Sequence, residues 1–155
     1  MPNWTRNEIT ISHNDAAMIQ RLADSYEAPL QAFIPCPHDP DTSDLWYGWR
    51  IAHWGIKWDI ELENVSIEDN GKTLFATFES AWAPPIDAYH ALERLGFTIT
   101  ALYSEPDMQF CGAFENGANH RFDFPDFDNK NWRSFVPHDL AEFLEPDWSN
   151  YQDYR

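Results

Sequence analysis

Lys57 is the titratable side chain with the most unusual neighbours in the sequence. It lies in the run Trp54-Gly55-Ile56-Lys57-Trp58-Asp59, between two indoles and beside a carboxylate. Desolvation by aromatic rings lowers the pKa of a lysine, and such a lysine could bind an anion or act as a general base. The run therefore indicates either an anion pocket or an aromatic anchor for the fold.

Further binding residues are expected from other segments that border predicted strand ends. Four tryptophans lie at such ends and could cluster, with the lysine held between two carboxylates. The candidate residues of this set are Trp4, Trp54, Lys57, Trp58, Asp59, Trp82 and Glu105. The structural alternative, which we favour, is that Trp54 and Trp58 wedge their segment onto the sheet while Lys57 pairs with an acid.

A second group has the side chains of a metal site but not the spacing. Thiolate, imidazole and carboxylate ligands are all offered within nine residues, by Cys36, His38, Asp39, Asp41 and Asp44. The spacing matches no zinc finger, and a calcium loop would need a central Gly and a terminal Glu. We therefore predict no metal and no cofactor, and we expect Cys36 and Cys111 to be reduced, buried thiols.

Motifs for catalysis are missing from the sequence. No Ser or Cys lies in a nucleophile motif such as G-x-S-x-G, and there is no glycine-rich phosphate loop. His13, His53, His90, His120 and His138 are scattered along the chain. We name no catalytic residue, and the absence of these motifs favours a protein that is not an enzyme.

The net charge of −16 is the strongest constraint from composition. Residues 1–58 carry seven acidic and four basic side chains, whereas residues 59–155 carry nineteen acidic and six basic ones. A field of this sign repels nucleic acid and anionic lipid, so a basic protein is the natural partner. Acidity also serves solubility alone in many proteins.

The acidic second half is also rich in aromatic residues, which suggests an interface. Carboxylates on a rigid sheet could imitate the phosphates of a duplex, while exposed aromatic rings anchor a partner with about 2 kcal/mol or more each. The candidate partner-binding residues are Asp123, Asp126, Asp128, Glu142, Glu145, Asp147 and Trp148.

The elements that would position these residues follow from hydrophobic periodicity and turn signals. An alternating strand at 8–12 precedes a helix that we expect to begin at Asn14, and strands on either side of Asn70-Gly71 form a hairpin with a bulge at 63–64. A helix after Pro85 leads to a fourth strand over 97–103. This order predicts an α+β, ferredoxin-like sandwich (βαββαβ) with an antiparallel sheet and both helices on one face.

Two pieces lie outside that order. Residues 28–57 form a tryptophan-rich insertion, in which four prolines over 29–41 argue against regular structure and a short helix ends at Gly55. Residues 109–124 predict an extra hairpin, followed by a short helix over 137–144. We expect one domain over 1–145 and a loose acidic, aromatic tail over 146–155.

Four motifs resemble a known family. Met1-Pro2-Asn3-Trp4 with Asn7, then Trp54-Gly55-Ile56-Lys57-Trp58-Asp59, Ser80-Ala81-Trp82-Ala83-Pro84-Pro85 and Tyr103-Ser104-Glu105-Pro106-Asp107-Met108 are similar to the YubB ferredoxin-like domain family of phages, plasmids and other mobile elements. The resemblance covers residues 1–115, adds Asn3 to the motif residues, and implies the ferredoxin-like fold but no activity.

Three functions are compatible with these features. The leading hypothesis is a non-enzymatic phage or plasmid protein that binds a basic partner through an acidic surface, such as an inhibitor that mimics nucleic acid against a CRISPR or restriction complex. The alternatives are a small-ligand or anion pocket (or an unassigned enzyme) around 54–59, and a structural homodimer. Without a secretory signal or an apolar run of about 20 residues, we expect a cytoplasmic protein in a bacterial host.

Overall fold

The computed structural model describes residues 2–127 and 130–153, and the side chains of residues 2–127 and 130–147. It is an α+β fold with one six-stranded sheet in the order β2-β3-β1-β4-β5-β6, in which every neighbouring pair is antiparallel. The strands are β1 (Trp4–Ser12), β2 (Glu63–Glu68), β3 (Thr73–Ala81), β4 (Thr98–Glu105), β5 (Phe110–Glu115) and β6 (Ala118–Asp123). The helices are α1 (Ala16–Asp24), α2 (Pro29–Phe33), α3 (Leu45–Trp54), α4 (Ile86–Arg94) and α5 (His138–Asp153).

The main core lies between one face of the sheet and helices α1 to α4. Alternate residues of the central strands point into it, such as Ile9 and Ile11 of β1 and Leu74 of β3. The helices contribute apolar faces at helical spacing, for example Ile19 and Leu22 of α1. The expected alternation of β1 and the amphipathic first helix are therefore confirmed.

A second core lies on the opposite face, but over only one side of the sheet. Helix α5 and the 3-10 turn Trp132–Phe135 pack there against β5 and the neighbouring strands, burying Leu140 and Leu144 against residues such as Cys111. The opposite faces of β1 and β3 are not part of this core. The sheet thus has one covered face and one face that is half open.

The predicted turns are confirmed by backbone geometry. Asp69, Asn70 and Gly71 have φ values of 54°, 55° and 84° between β2 and β3, and Asn116 and Gly117 have 51° and 76° between β5 and β6. Such values are accessible to Asn, Asp and Gly. The bulge also occurs where expected, since the β2 to β3 register shifts between Glu63 and Ser66.

Three local expectations need correction. Residues 29–41 were expected to be irregular, yet α2 begins at Pro29, because proline is tolerated in the first turn of a helix. The N-cap of α1 is Asp15 rather than Asn14, and its carboxylate accepts the N–H of Ala17. Helix α5 does not end near 144 but continues through Pro146, where the carbonyl that loses its partner belongs to exposed Glu142 and can bond water.

None of the helices in the described part of the chain is long and apolar enough to cross a membrane.

Candidate functional site

The half-open face of the sheet carries the polar residues that alternate with the core. On β1, Glu8 and Thr10 point away from the helices that cover Ile9 and Ile11. Thr77 lies directly across from Glu8 on β3. An uncovered sheet face with this composition forms a polar floor.

Helix α5 forms a wall along that floor and creates a groove. The groove consists of two adjoining depressions of about 430 and about 380 Å³ that share Glu8 and Phe143. One is lined by Glu8, Thr10, Thr100, Leu102, Asp139, Glu142 and Phe143. The other is lined by Arg6, Asn7, Glu8, Glu63, Thr77, Phe78, Glu79 and Phe143. We call the two together the acidic groove.

The charge of the acidic groove is strongly negative. Five carboxylates line it, from Glu8, Glu63, Glu79, Asp139 and Glu142, against a single guanidinium. Within the described chain, Glu142 contacts His138 at 3.1 Å, and the other four carboxylates have no ion-pair partner. Glu8 and Glu63 flank Thr77 from opposite sides, so their Cα atoms are about 10 Å apart, two strand spacings.

Arg6 shows how the groove holds a guanidinium. Its Nη2 donates to the Asp147 carboxylate at 2.8 Å and to the Phe143 carbonyl at 2.5 Å, while Nε donates to the same carboxylate at 3.2 Å. Its Cζ also lies 3.8 Å from the centroid of the Phe143 ring. Carboxylate, carbonyl and ring together satisfy the charge, the N–H groups and the flat face of this cation.

The predicted partner-binding acids are placed differently from one another. Glu142 lines the groove, and Asp126 is exposed in the 3-10 turn Phe124–Asp126. Three others pair with arginines: Asp123 with Arg121 at 3.3 Å, Glu145 with Arg133, and Asp147 with Arg6. Asp128 and the side chain of Trp148 lie outside the described residues. These pairs cancel part of the negative charge that the second half of the sequence offers.

Trp54 is a core anchor. It is fully buried, and its indole N–H donates to the Ile34 carbonyl at 2.9 Å. Arg50 lies 4.8 Å from its ring centroid and donates to the Lys57 carbonyl at 3.1 Å. These contacts connect parts of the segment 28–57 with one another, and the buried Trp54 ring attaches the segment to the main core.

Asp59 links the motif 54–59 to α2. Its carboxylate accepts the N–H groups of Leu30 (3.0 Å), Gln31 (2.7 Å) and Ile60 (2.8 Å). Two of these donors belong to the first turn of α2, where no intrahelical acceptor exists. Burial raises the pKa of Asp59, although the three N–H donors oppose that shift. The carboxylate is thus engaged by the backbone.

Lys57 does not lie among carboxylates. Its Nζ is 4.3 Å from the centroid of the Trp58 ring, and no ion pair joins it to Asp59, Glu105 or any other acid of the described chain. The expected charge set around Lys57 therefore does not form. Trp58 in turn contacts Trp4, with ring centroids 6.1 Å apart.

Trp82 and Asn3 meet through their backbones. The Trp82 N–H donates to the Asn3 carbonyl at 2.8 Å, and Trp82 adopts a φ of 71°. A left-handed conformation is rare for a bulky residue and costs about 1–3 kcal/mol. The Trp82 side chain is 46% exposed, so the strain does not serve core packing.

Glu105 is buried at the end of β4. One carboxylate oxygen accepts the Met108 N–H at 2.5 Å, and the other has no hydrogen-bond partner. Burial raises its pKa, because the charged form loses solvation. Glu105 lines neither depression of the acidic groove.

The cysteine and acid segment 36–44 is organised by local hydrogen bonds. The Cys36 thiol donates to the His38 carbonyl at 3.6 Å, and the Asp39 carboxylate accepts the Asp41 N–H. Among the described residues, no three His, Cys, Asp or Glu side chains are arranged to hold a metal. Both cysteines are free and buried, and burial raises the pKa of Cys111 to about 12.

Four of the five groove carboxylates were not singled out in the sequence: Glu8, Glu63, Glu79 and Asp139. The sequence contained a signal for Glu8. It alternates with Ile9 and Ile11 on β1, so its side chain is predicted to lie on the face of the sheet opposite the main core. Comparison with known proteins adds no assignment: no family model, no curated protein and no solved structure matches this chain. The geometry of the acidic groove therefore carries the functional argument.

Proposed function

We propose that this protein is a non-enzymatic binding protein that engages a basic protein partner through the acidic groove. The observation that carries the proposal is the presence of five carboxylates around one sheet face with a single guanidinium among them. That guanidinium belongs to Arg6, which is already bonded to Asp147. The groove therefore keeps a net negative charge that a cationic partner could neutralise.

Electrostatic repulsion within the groove favours a cationic occupant. Two unit charges at a distance of about 10 Å, the spacing of the Glu8 and Glu63 Cα atoms, repel each other by about 0.4 kcal/mol in water and about 1.7 kcal/mol at an effective dielectric constant of 20. A cation placed between Glu8 and Glu63 attracts both carboxylates, and these two attractions outweigh the repulsion between them. The same field opposes nucleic acid and anionic lipid.

The form of the groove fits side chains of a protein better than a small molecule. Its floor is a polar sheet surface, and both depressions are open to solvent along α5. Lysine and arginine side chains from one partner segment could each meet a different carboxylate. Polar, rim-type contacts of this kind give association rate and specificity more than affinity.

A narrower form of the proposal concerns the partner. Proteins that act on nucleic acid present basic channels, and an acidic surface can occupy such a channel in place of a duplex. The resemblance of residues 1–115 to a family from mobile elements supports a partner in a bacterial host's cytoplasm, such as a CRISPR or restriction complex. The arginine partners of Asp123 and Glu145 favour the groove over the tail as the mimicking surface.

We also propose that the first four strands form a ferredoxin-like unit. Their spatial order β2-β3-β1-β4, with β1 antiparallel to both neighbours, supports this assignment. Helices α1 to α3 connect β1 to β2, and α4 connects β3 to β4. The hairpin β5–β6 and helix α5 are then additions that build the groove wall.

The two alternatives have less support. A ligand pocket around 54–59 would depend on the Lys57 ammonium, because Asp59 is engaged by three N–H groups and the Trp54 indole by a carbonyl. A homodimer through the sheet edge is favoured by the exposure of all of β2, and opposed by its bulge, which disrupts edge pairing.

Capture of host proteins at low and high salt tests the proposal. The test variant is Glu8→Gln with Glu142→Gln, and the matched control is Asp24→Asn with Asp44→Asn, two exposed acids of the helical layer. Both variants change the net charge from −16 to −14. We expect the groove variant to weaken capture of a basic partner roughly tenfold and the control to leave it unchanged.

Duplex DNA serves as a competitor in the same experiment. If the partner is a nucleic-acid enzyme blocked in its channel, DNA should displace the protein and the two should not bind together. Equal losses in the groove variant and the control would refute the groove, because net charge alone would then explain binding.

A further inference from the structure

We propose that Trp4 and Trp58 form an arginine-binding extension of the acidic groove, in which an arginine of the same basic partner stacks on exposed indoles. We call this pair the tryptophan ledge. The inference rests on the proposed function, since it names the side chain that the partner presents and the place where that side chain binds.

The ledge continues the groove along β1. Trp4, Arg6 and Glu8 are alternate residues of one strand, so they point to the same face. Trp4 thus lies about 7 Å beyond Arg6, which lines the groove, and about 13 Å from Glu8. An extended segment of about five residues spans that distance.

Both indoles are exposed although they touch each other. Trp4 is 44% exposed and Trp58 is 40% exposed, with ring centroids 6.1 Å apart and ring planes inclined by 34°. Trp54, by contrast, is fully buried in the same motif. Two large apolar rings left together at the end of a charged groove are typical of an interaction site rather than of core packing.

The ledge already accepts a cation from its own chain. The Nζ of Lys57 lies 4.3 Å from the Trp58 ring centroid, within the range of cation–π contacts. In the adjoining part of the groove, the Arg6 guanidinium lies over Phe143 in the same way. Tryptophan is the strongest of the aromatic partners for a cation, so the ledge suits a guanidinium better than Phe143 does.

The backbone holds the ledge in place. Trp82 keeps its left-handed φ of 71° while its N–H donates to Asn3, the residue before Trp4. A strained residue of this size fixed against the start of β1 restricts the position of Trp4. Binding then loses less conformational freedom than it would with a mobile ring.

Charge complementarity decides the occupant. Two cations border the ledge, Lys57 on the Trp58 ring and Arg6, which is already paired with Asp147. The adjoining groove carries five carboxylates, including Glu79 directly across from Arg6, so a partner segment that lies in the groove and reaches the ledge should be cationic. Arginine fits better than lysine, because its flat guanidinium stacks on a ring while its N–H groups remain available to carboxylates.

Binding of labelled hexa-arginine and hexa-lysine peptides, measured by fluorescence anisotropy, tests the inference. We expect hexa-arginine to bind more tightly, and Trp4→Leu and Trp58→Leu each to weaken it roughly threefold to thirtyfold. The same variants should weaken hexa-lysine less, which narrows the gap between the peptides. The control Tyr47→Leu, an aromatic residue 51% exposed on α3, should change neither.

A second variant tests the ledge from the opposite direction. Lys57→Met removes the cation that occupies Trp58, so hexa-arginine should bind more tightly. Removal of a positive charge favours both peptides, so the difference between them tests the ledge: hexa-arginine should gain more affinity than hexa-lysine, and equal gains would contradict the ledge. Thermal unfolding checks each variant. Where a leucine variant does not fold, Trp4→Phe or Trp58→Phe at the same position replaces it, keeps a ring and should give an intermediate affinity.

The groove variant Glu8→Gln with Glu142→Gln separates the two proposals. Weaker binding in that variant with unchanged binding in both ledge variants overturns the ledge and leaves the groove. Unchanged binding in the groove variant with weaker binding in both ledge variants overturns the groove and leaves the ledge. Failure of hexa-arginine to bind the unmodified protein overturns both.

Discussion

Removal of the Asp59 carboxylate should destabilise the protein through two backbone elements that it joins. The side chain accepts N–H groups from Leu30 and Gln31 at the start of α2 and from Ile60 beyond the motif. None of these donors has an acceptor within its own helix or strand. In Asp59→Ala they would depend on water, which reaches exposed Gln31 but not Leu30, whose exposure is 2%.

The magnitude follows from the number of donors that water cannot reach. A hydrogen bond to a charged group contributes about 1.5–3 kcal/mol, and Leu30 and Ile60 are both buried. Asp59→Ala should therefore cost about 3–5 kcal/mol. Asp59→Asn keeps one oxygen for Leu30 and Ile60 but turns an NH₂ group toward Gln31, so it should cost about 1–2 kcal/mol.

Urea unfolding at neutral pH measures both costs. With an m value of about 2 kcal/mol per molar, the alanine variant should lower the midpoint by roughly 1.5–2.5 M and the asparagine variant by less than about 1 M. Asp44→Asn is the matched control, because Asp44 precedes α3 without a side-chain capping bond. If both Asp59 variants unfolded within about 0.5 kcal/mol of the control, the carboxylate could not be a link between α2 and the motif, and a ligand role would regain support.

Three further variants test other contacts. Glu105→Gln should stabilise the protein at pH 7, because burial raises the pKa of Glu105 in the folded state above its value in the unfolded state. The protonated carboxyl is compatible with folding below the unfolded-state pKa, and this stability is lost as pH rises through the folded-state pKa. The stability gained by the glutamine variant should therefore vanish when urea unfolding is repeated in acid. Gly112→Ala should cost about 3 kcal/mol or prevent folding, since a Cβ there would overlap the Tyr103 ring; soluble yield and thermal unfolding show which. Arg6→Met should cost about 1 kcal/mol by losing its half-exposed pair with Asp147. It should nevertheless tighten hexa-arginine binding by removing a positive charge from the groove, and a parallel fall in affinity would contradict that view.

Local chemistry made the sheet predictable. Asn70-Gly71 and Asn116-Gly117 accept the positive φ values of tight turns, and buried apolar residues alternate along β3 after the first of these turns. The bulge near Asn64 was visible as a change of hydrophobic phase, and the residue has a φ of 53°. These features depend on neighbours in sequence, so the sequence alone specifies them.

Other elements depended on partners that are distant in sequence. Helix α2 has five residues and no side-chain cap of its own, and Asp59 supplies its acceptors from 29 positions away. Helix α5 continues past Pro146, and Arg6 bonds its Phe143 carbonyl and Asp147 carboxylate from the start of the chain. No local pattern around either helix records these contacts.

The acidic groove was hidden for the same reason. The acidic, aromatic composition of the second half pointed to Asp123, Glu145 and Asp147, but which acids remain unpaired depends on where arginines fold. Glu8 comes from the less acidic half and gains importance only because α5 leaves β1 uncovered. The sequence shows that the protein is strongly acidic, but the position of the unpaired carboxylates depends on how helix α5 packs on the sheet.

Arginine placement also separates two kinds of acidic surface within one molecule. At Asp123 and Glu145 the arginine partner lies on the same surface, so a cationic protein arriving there would first have to displace it, with little net gain in charge neutralisation. Glu8, Glu63 and Glu79 present no such competitor within the described chain, and Arg6 is drawn away from them toward α5. A partner that neutralises charge should therefore bind most strongly over β1 and β3, where each new cation meets a carboxylate that has no other partner.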